Sequence, residues 1–228
     1  METSIRPCSI GHHMRLVIGI SGASGVAYGI HALQALKDRG VETHLILSEA
    51  ARKTIRLETN YKISDVENLA TETHRFDDIT SILASGSFHT DGMAIIPCSM
   101  KTLGGVASGY ADNLLLRAAA VSLKERRRLV LVVRESPLSL IDIENMAAVT
   151  RAGGVILPAM PSFYRRPKTV DEIFDELAGK ALELLGVAND LGAPWGGPSG
   201  KRSHATSLKH RIRDDVRTKK KEERRLSK

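Results

Sequence analysis

Long apolar runs are missing from this 228-residue chain, and cysteine is scarce, with only Cys8 and Cys98 present. No stretch approaches the roughly 20 apolar residues that a membrane span requires. Two cysteines are too few for a disulfide framework. The opening segment METSIRPCSIGHHM lacks the apolar core of a secretory signal. Dinucleotide and nucleotide signatures are absent too: the glycine-rich turn SGASG is not GxGxxG, and no Gly-Lys-Ser/Thr follows it. His31, His44, His74 and His89 show no metal-ligand spacing and read as structural or surface residues. A soluble, cytoplasmic protein without a membrane partner is the expectation.

What is present suits one sizeable domain: 42% of the residues are hydrophobic, enough for a globular core. The net charge of +7 suggests nucleic acid until it is located. Residues 201–228 hold 12 Lys/Arg against 4 Asp/Glu, whereas the 200 residues before them hold 21 against 22. The folded part is therefore near neutral, and the basic charge sits in a tail without aromatics. Such a segment cannot bury enough surface to offset its ordering entropy. It reads as a solvated, largely disordered extension, with binding to nucleic acid or another polyanion as the competing, less favoured reading. The expected organisation is an N-terminal arm (1–13), a domain (14–197) and the basic tail (198–228).

Within the body, the hydrophobic pattern alternates in period. Residues 15–20, 41–47, 93–97, 129–133 and 155–157 read as strands. Residues 25–39, 113–126, 140–153 and 169–186 read as helices, with further helices after Ser48 and over 64–70. Residues 71–91 read as irregular. This alternation predicts an α/β fold with a mainly parallel sheet covered on both faces. Ligands of such sheets bind beyond the carboxyl ends of the strands. SGASG, SEAA, PCSMKTLGG and RESPL follow four of those strands. Their hydroxyls, free N–H groups at helix starts and one arginine suit a phosphate and a polar heterocycle. Taken alone, SGASG reads equally well as a tight turn with no ligand.

The run PCSMKTLGGVASGYADNLLLRAAAVSLKERRRLVLVVRESPL is more specific. With GISGASGVAYG, ENM and ILPAMPSFYRRP, it resembles the UbiX-type flavin prenyltransferases over residues 14–197. SFHTDGMAIIPCSMKTL is most similar to the branch called phenolic-acid decarboxylase B subunits. The wider group is the homo-oligomeric flavin-containing Cys decarboxylase proteins, which are Rossmann-like, three-layer α/β/α sandwiches. The resemblance implies joining of a dimethylallyl group to N5 and C6 of reduced FMN, from dimethylallyl phosphate (the pyrophosphate in a few relatives). The product is prenylated FMN, the cofactor of UbiD-type decarboxylases, and no metal is used. It also implies a homo-oligomer, often a dodecamer, with active sites between subunits.

The resemblance further implies FMN contacts at Gly22, Ala23, Ser24, Ser48, Ser99, Met100, Lys101, Thr102 and Arg134. It implies a prenyl-phosphate pocket of Tyr164, Lys180, Lys124 and Arg117, whose cations would meet the charge that develops on the leaving phosphate. Ser24, Glu58, Lys124 and Glu135 are the implied catalytic residues, the carboxylates to steady allylic positive charge or handle protons. Plain readings stand beside these. Glu58 suits an exposed helix acid, Lys124 and Arg117 a solvated basic face, and Tyr164 a partner for Phe163. Cys98 suits a small buried hydrophobe. Trp195 could cap the site or pin the chain. Two positions depart from the family pattern: Lys180 stands where Arg is usual and Asp142 where His is common. A non-catalytic FMN-binding accessory subunit of an aromatic or phenolic acid decarboxylase is the alternative reading. A decarboxylase proper is disfavoured, because no separate group for an aromatic acid is evident.

Overall fold

The computed structural model describes residues 13–192. Residues 1–12, Trp195 and the basic tail lie outside the described residues. By its contacts the chain divides into Met1–Asn189 and Asp190–Lys228.

Six strands form one sheet: β1 (Arg15–Ile20), β2 (Glu42–Leu47), β3 (Glu72–His74), β4 (Gly92–Cys98), β5 (Arg128–Val133) and β6 (Val155–Pro158). Their order is β3-β2-β1-β4-β5-β6, and every pairing is parallel. Among the described residues seven helices accompany them: α1 (Ala27–Asp38), α2 (Glu49–Glu58), α3 (Ile63–Glu67), α4 (Met100–Ser108), α5 (Leu114–Lys124), α6 (Leu140–Arg151) and α7 (Val170–Leu184). The Rossmann-like α/β/α expectation therefore holds. No helix among the described residues is long and apolar enough to cross a membrane.

The inner strands lack polar alternation because both of their faces are covered. In β1, Ile20 meets α1, while the neighbouring Gly19 lies against Leu115 of α5. Val17, Met93, Ile95, Leu129 and Leu131 join Leu114 and Leu115 in a buried cluster on that second side. Leu16, Ile18, Leu45, Met93 and Ile95 are completely buried. Each contributes on the order of 1.5–3 kcal/mol relative to exposure. Helices α1 and α7 pack together on the other side.

Two elements differ from the sequence expectation. Three polar residues, Glu72–His74, form an edge strand inside the stretch read as irregular. They pair with β2, His44 opposite Glu72. Helix α4 occupies the stretch after β4 to which the hydrophobic pattern assigns no element. Gly104 and Gly105 at its middle weaken the helical signal, but Ser99 caps it and both α5 and α6 pack against it. Pro97 sits in the central strand β4, where it has no N–H to donate. The β4–β5 register shifts between Ile95 and Cys98 accordingly.

Candidate active site

The polar loops expected at the carboxyl edge of the sheet do converge there, and backbone bonds tie them together. Ser48 N–H donates to Ile20 O (3.0 Å), Ser21 N–H to Pro97 O (3.1 Å) and Arg134 N–H to Cys98 O (3.2 Å). The Ser21 hydroxyl donates to Pro97 O (2.9 Å) and accepts from Ser99 N–H (2.7 Å). This stitches β1 to β4 at the point where strand order reverses, the usual ligand crevice of such sheets.

Serines start the helices around this edge. Ser48 Oγ accepts from Ala51 N–H (3.0 Å) and Ser99 Oγ from Thr102 N–H (3.4 Å). Ser48 and Thr102 are buried. Helix α1 has no side-chain cap of its own. Instead Glu58, from the end of α2, accepts from Gly25 N–H (2.8 Å) and Val26 N–H (3.3 Å), both on Oε2. A carboxylate thus already stands at the positive end of α1.

The small residues of the SGASG turn have a reason within the chain. A Cβ on Gly22 would collide with the side chain of Ala50 at the start of α2. Gly25 has φ +93°, a region that side-chain-bearing residues rarely adopt. The turn is kept small first by its own neighbours.

A cleft of about 500 Å³ opens beside this turn, within the usual range for ligand sites. Ser24, Gly25, Glu58 and Arg134 line it together with Tyr28, His31, Tyr61, Asp171 and Phe174. Phe174 of α7 meets the Tyr28 ring edge-on at 5.1 Å and the His31 ring at 5.4 Å. His31 Nδ1 lies 2.7 Å from Asp175 Oδ1. Burial raises the pKa of the Tyr28 phenol, with Arg134 opposing. Burial also raises that of Tyr61, reinforced by Asp171 and Asp65. Both phenols therefore stay protonated and available as donors near neutral pH. The aromatic wall was not expected from sequence, because it needs the α1–α7 packing.

Other expected site residues lie elsewhere in the chain. Lys124 ends α5 just before β5 begins, so it sits at the opposite edge of the sheet, paired with Glu125. A six-residue strand separates those edges by roughly 17 Å or more. Arg117 donates to Ala84 O (2.9 Å) and is not among the residues lining the cleft. Lys180 is nine residues beyond Asp171 on α7, about 13 Å along the axis, and pairs with Glu183 at 3.0 Å. None of these three cations lines this cleft within one chain. Tyr164, in a 3-10 turn (Phe163–Arg165), is 54% exposed and does not line the cleft. Its neighbour Phe163 is 70% exposed, so the two do not form a buried pair. Glu135 accepts from Ser136 N–H (3.0 Å). Cys98 is fully buried, and burial raises its thiol pKa, which keeps it un-ionised. Asp142 forms a capping box with Ser139 at the start of α6.

This edge fits FMN. It offers an aromatic wall for a flat heterocycle, Arg134 for oxygen acceptors, and hydroxyl-capped helix starts suited to a phosphate.

Comparison with known proteins agrees. The Flavoprotein family matches residues 8–184. Flavin prenyltransferase UbiX of Thauera aromatica is 50% identical over 184 residues, covering 81% of this chain and 95% of that protein. The crystal structure of AnUbiX (PadA1) in complex with FMN and dimethylallyl pyrophosphate superposes with TM-score 0.80 at 45% identity, covering 81% of this chain and 98% of that one. A dodecameric FMN-dependent UbiX-like decarboxylase from Escherichia coli O157:H7 superposes with TM-score 0.79 at 49% identity, covering 81% and 100%.

Proposed function

Since the chain belongs to the Flavoprotein family and, within it, to the UbiX-type flavin prenyltransferases, we propose that it transfers a dimethylallyl group from dimethylallyl phosphate to N5 and C6 of reduced FMN. The observation that carries this reading is the cleft where Ser24, Glu58 and Arg134 meet the Tyr28–Phe174 wall. When bound, reduced FMN supplies the nucleophilic positions that take the prenyl carbons. Gly22, Ala23, Ser24, Ser48, Ser99, Met100, Lys101, Thr102 and Arg134 hold it. Glu58, with Oε2 committed to the α1 N-terminus, has Oε1 left to steady positive charge on the allyl carbons or to take a proton. Ser24 relays a proton, and Glu135 assists.

The leaving phosphate needs cations. Lys124 stands at the far edge of the sheet, and Arg117, Lys180 and Tyr164 are not in the cleft lining of their own chain, so these residues act from neighbouring copies in a homo-oligomer. The dodecameric relative supports such an assembly. The recipient of the product is a UbiD-type decarboxylase in the cytoplasm.

The position of the cations also favours a second reading: a chain that stays monomeric holds only the FMN half and serves as a carrier. Anaerobic incubation with FMN, a reductant and dimethylallyl phosphate, followed by mass analysis of the released flavin, separates the two. A gain of one five-carbon prenyl unit supports the transferase. Unmodified flavin with both the phosphate and the pyrophosphate overturns it.

A further inference from the structure

The tripeptide Glu-Thr-His occurs twice, at 42–44 and 72–74. The fold lays the two copies side by side on β2 and β3, with His44 opposite Glu72. Side chains two apart on a strand share a face, so two carboxylates and two imidazoles gather at one end of the sheet. Both rings are almost buried, with side-chain exposures of 3% for His44 and 7% for His74. Glu72 is 54% exposed and opens the group to solvent.

The imidazole nitrogens divide into an inner and an outer set. His44 Nδ1 and His74 Nε2 face each other at 2.9 Å. The Glu72 carboxylate lies 3.7 Å from each, through one oxygen apiece. The outer nitrogens are held: His44 Nε2 lies 3.1 Å from Glu42 Oε1, and His74 Nδ1 lies 2.9 Å from Ser81 Oγ. Arg15 fixes Glu42 in turn, its Nε donating at 2.5 Å. Phe88 packs edge-on against His44 at 5.3 Å, and the Arg15 guanidinium lies over Phe88 at 4.5 Å.

Metal-bound histidines characteristically donate their second ring N–H to a carboxylate or another acceptor, which orients the ring. Glu42 and Ser81 provide that support here. Zinc holds nitrogen and oxygen ligands at about 2.0–2.2 Å in a tetrahedron, so ligand atoms in one shell stand about 3.3 Å apart. The separations of 2.9 and 3.7 Å bracket that figure.

We propose that His44 Nδ1, His74 Nε2 and the Glu72 carboxylate form a divalent-metal site of the zinc type, with a solvent water as fourth ligand. It lies on the β2–β3 edge, apart from the cleft, and does not depend on the transferase reading. Without metal, the inner nitrogens share one hydrogen bond. With metal, the His74 proton moves from Nε2 to Nδ1, the Ser81 hydroxyl turns to accept it, and no net proton is released from a neutral pair. The metal ties the three-residue edge strand to β2.

The test uses the full-length, tag-free chain after chelator treatment, titrated calorimetrically with Zn2+ and, separately, with Co2+ as a visible-absorption probe of four-coordinate geometry. Glu72→Ala alters an exposed side chain and keeps the fold. Ser81→Ala removes the outer support of His74. A His12→Ala/His13→Ala double variant controls for the N-terminal histidines. The expected result is one Zn2+ per chain, intense Co2+ bands, and a melting temperature raised by Zn2+. Affinity should fall at least about tenfold in Glu72→Ala and in Ser81→Ala, and stay unchanged in the double variant. Absence of uptake by the parent chain, undiminished uptake in Glu72→Ala, or loss of uptake in the double variant would overturn the proposal.

Discussion

The proposed function gives Glu58 a chemical task beside its observed helix cap, and Glu58→Gln divides the two. Its Oε2 accepts from Gly25 N–H at 2.8 Å and from Val26 N–H at 3.3 Å, at the open end of α1. The carboxamide keeps an acceptor oxygen of nearly the same shape. What it loses at that end is charge against the helix dipole, worth about 0.3–1 kcal/mol at an exposed site. In a domain of this size that lowers Tm by about 1–4 °C. The chemical task is more sensitive, since a positioned group that handles a proton contributes on the order of 10²–10⁴ in rate. Single-turnover prenyl transfer followed by flavin mass, with FMN affinity from fluorescence quenching, should therefore show a loss of at least about a hundredfold in rate with little change in Tm or FMN binding. Glu58→Ala, which loses both hydrogen bonds, should cost about 1–2 kcal/mol more. Transfer at the parental rate in Glu58→Gln would reduce Glu58 to a helix cap. A rate loss that merely tracked unfolding would do the same.

Three further outcomes follow from the geometry. Glu58→Gln and Lys124→Ala should each be inactive, yet a mixture allowed to exchange subunits should regain activity by pairing an intact cleft with an intact cation; no recovery on mixing would refute the shared site. Gly22→Val should lower stability by about 1–3 kcal/mol in denaturant titration, because it overpacks against Ala50; unchanged stability would mean the space is reserved for a ligand alone. The hydrogen bonds from the Ser139 side chain and backbone hold the Asp142 carboxyl below its ordinary range. Folding therefore favours its ionised form, which stabilises above the unfolded-state pKa of about 3.9. That contribution is lost as pH falls through the folded value. Asp142→Asn should flatten this acid limb of a thermal-melt series, and an unaltered limb would remove Asp142 from it.

The parts of the fold legible in the sequence are those whose signal is local. Leu16–Ile20 and Leu129–Val133 are continuous apolar runs because each strand is covered on both faces, and a run needs no knowledge of its partners. Helix α4 was hidden because Gly104 and Gly105 oppose its local preference and only packing on α5 and α6 overrides it. Strand β3 was hidden because Glu72, Thr73 and His74 are polar and few; only its ladder with β2 makes it a strand. The same ladder makes neighbours of His44 and His74, whose separation by 30 residues shows no ligand spacing. At the cleft, the loops after β1, β2, β4 and β5 were readable because a parallel sheet delivers every such loop to one edge. Tyr28 and Phe174 were not, since they meet only through the α1–α7 contact.

Lys124, Arg117 and Lys180 pose the converse problem. Likeness to relatives assigns a residue type to a position without saying which copy supplies it. Helix α5 runs back from the cleft edge to reach the start of β5, and this direction follows from the parallel crossover. It carries Lys124 to the far edge of the sheet. A cation at that edge serves a phosphate at the opposite edge only if another subunit brings the edges together. On the proposed reading, this separation within one chain makes assembly a condition for chemistry. Dilution below the assembly threshold should accordingly abolish transfer, while the FMN-binding residues proposed within one chain continue to hold flavin.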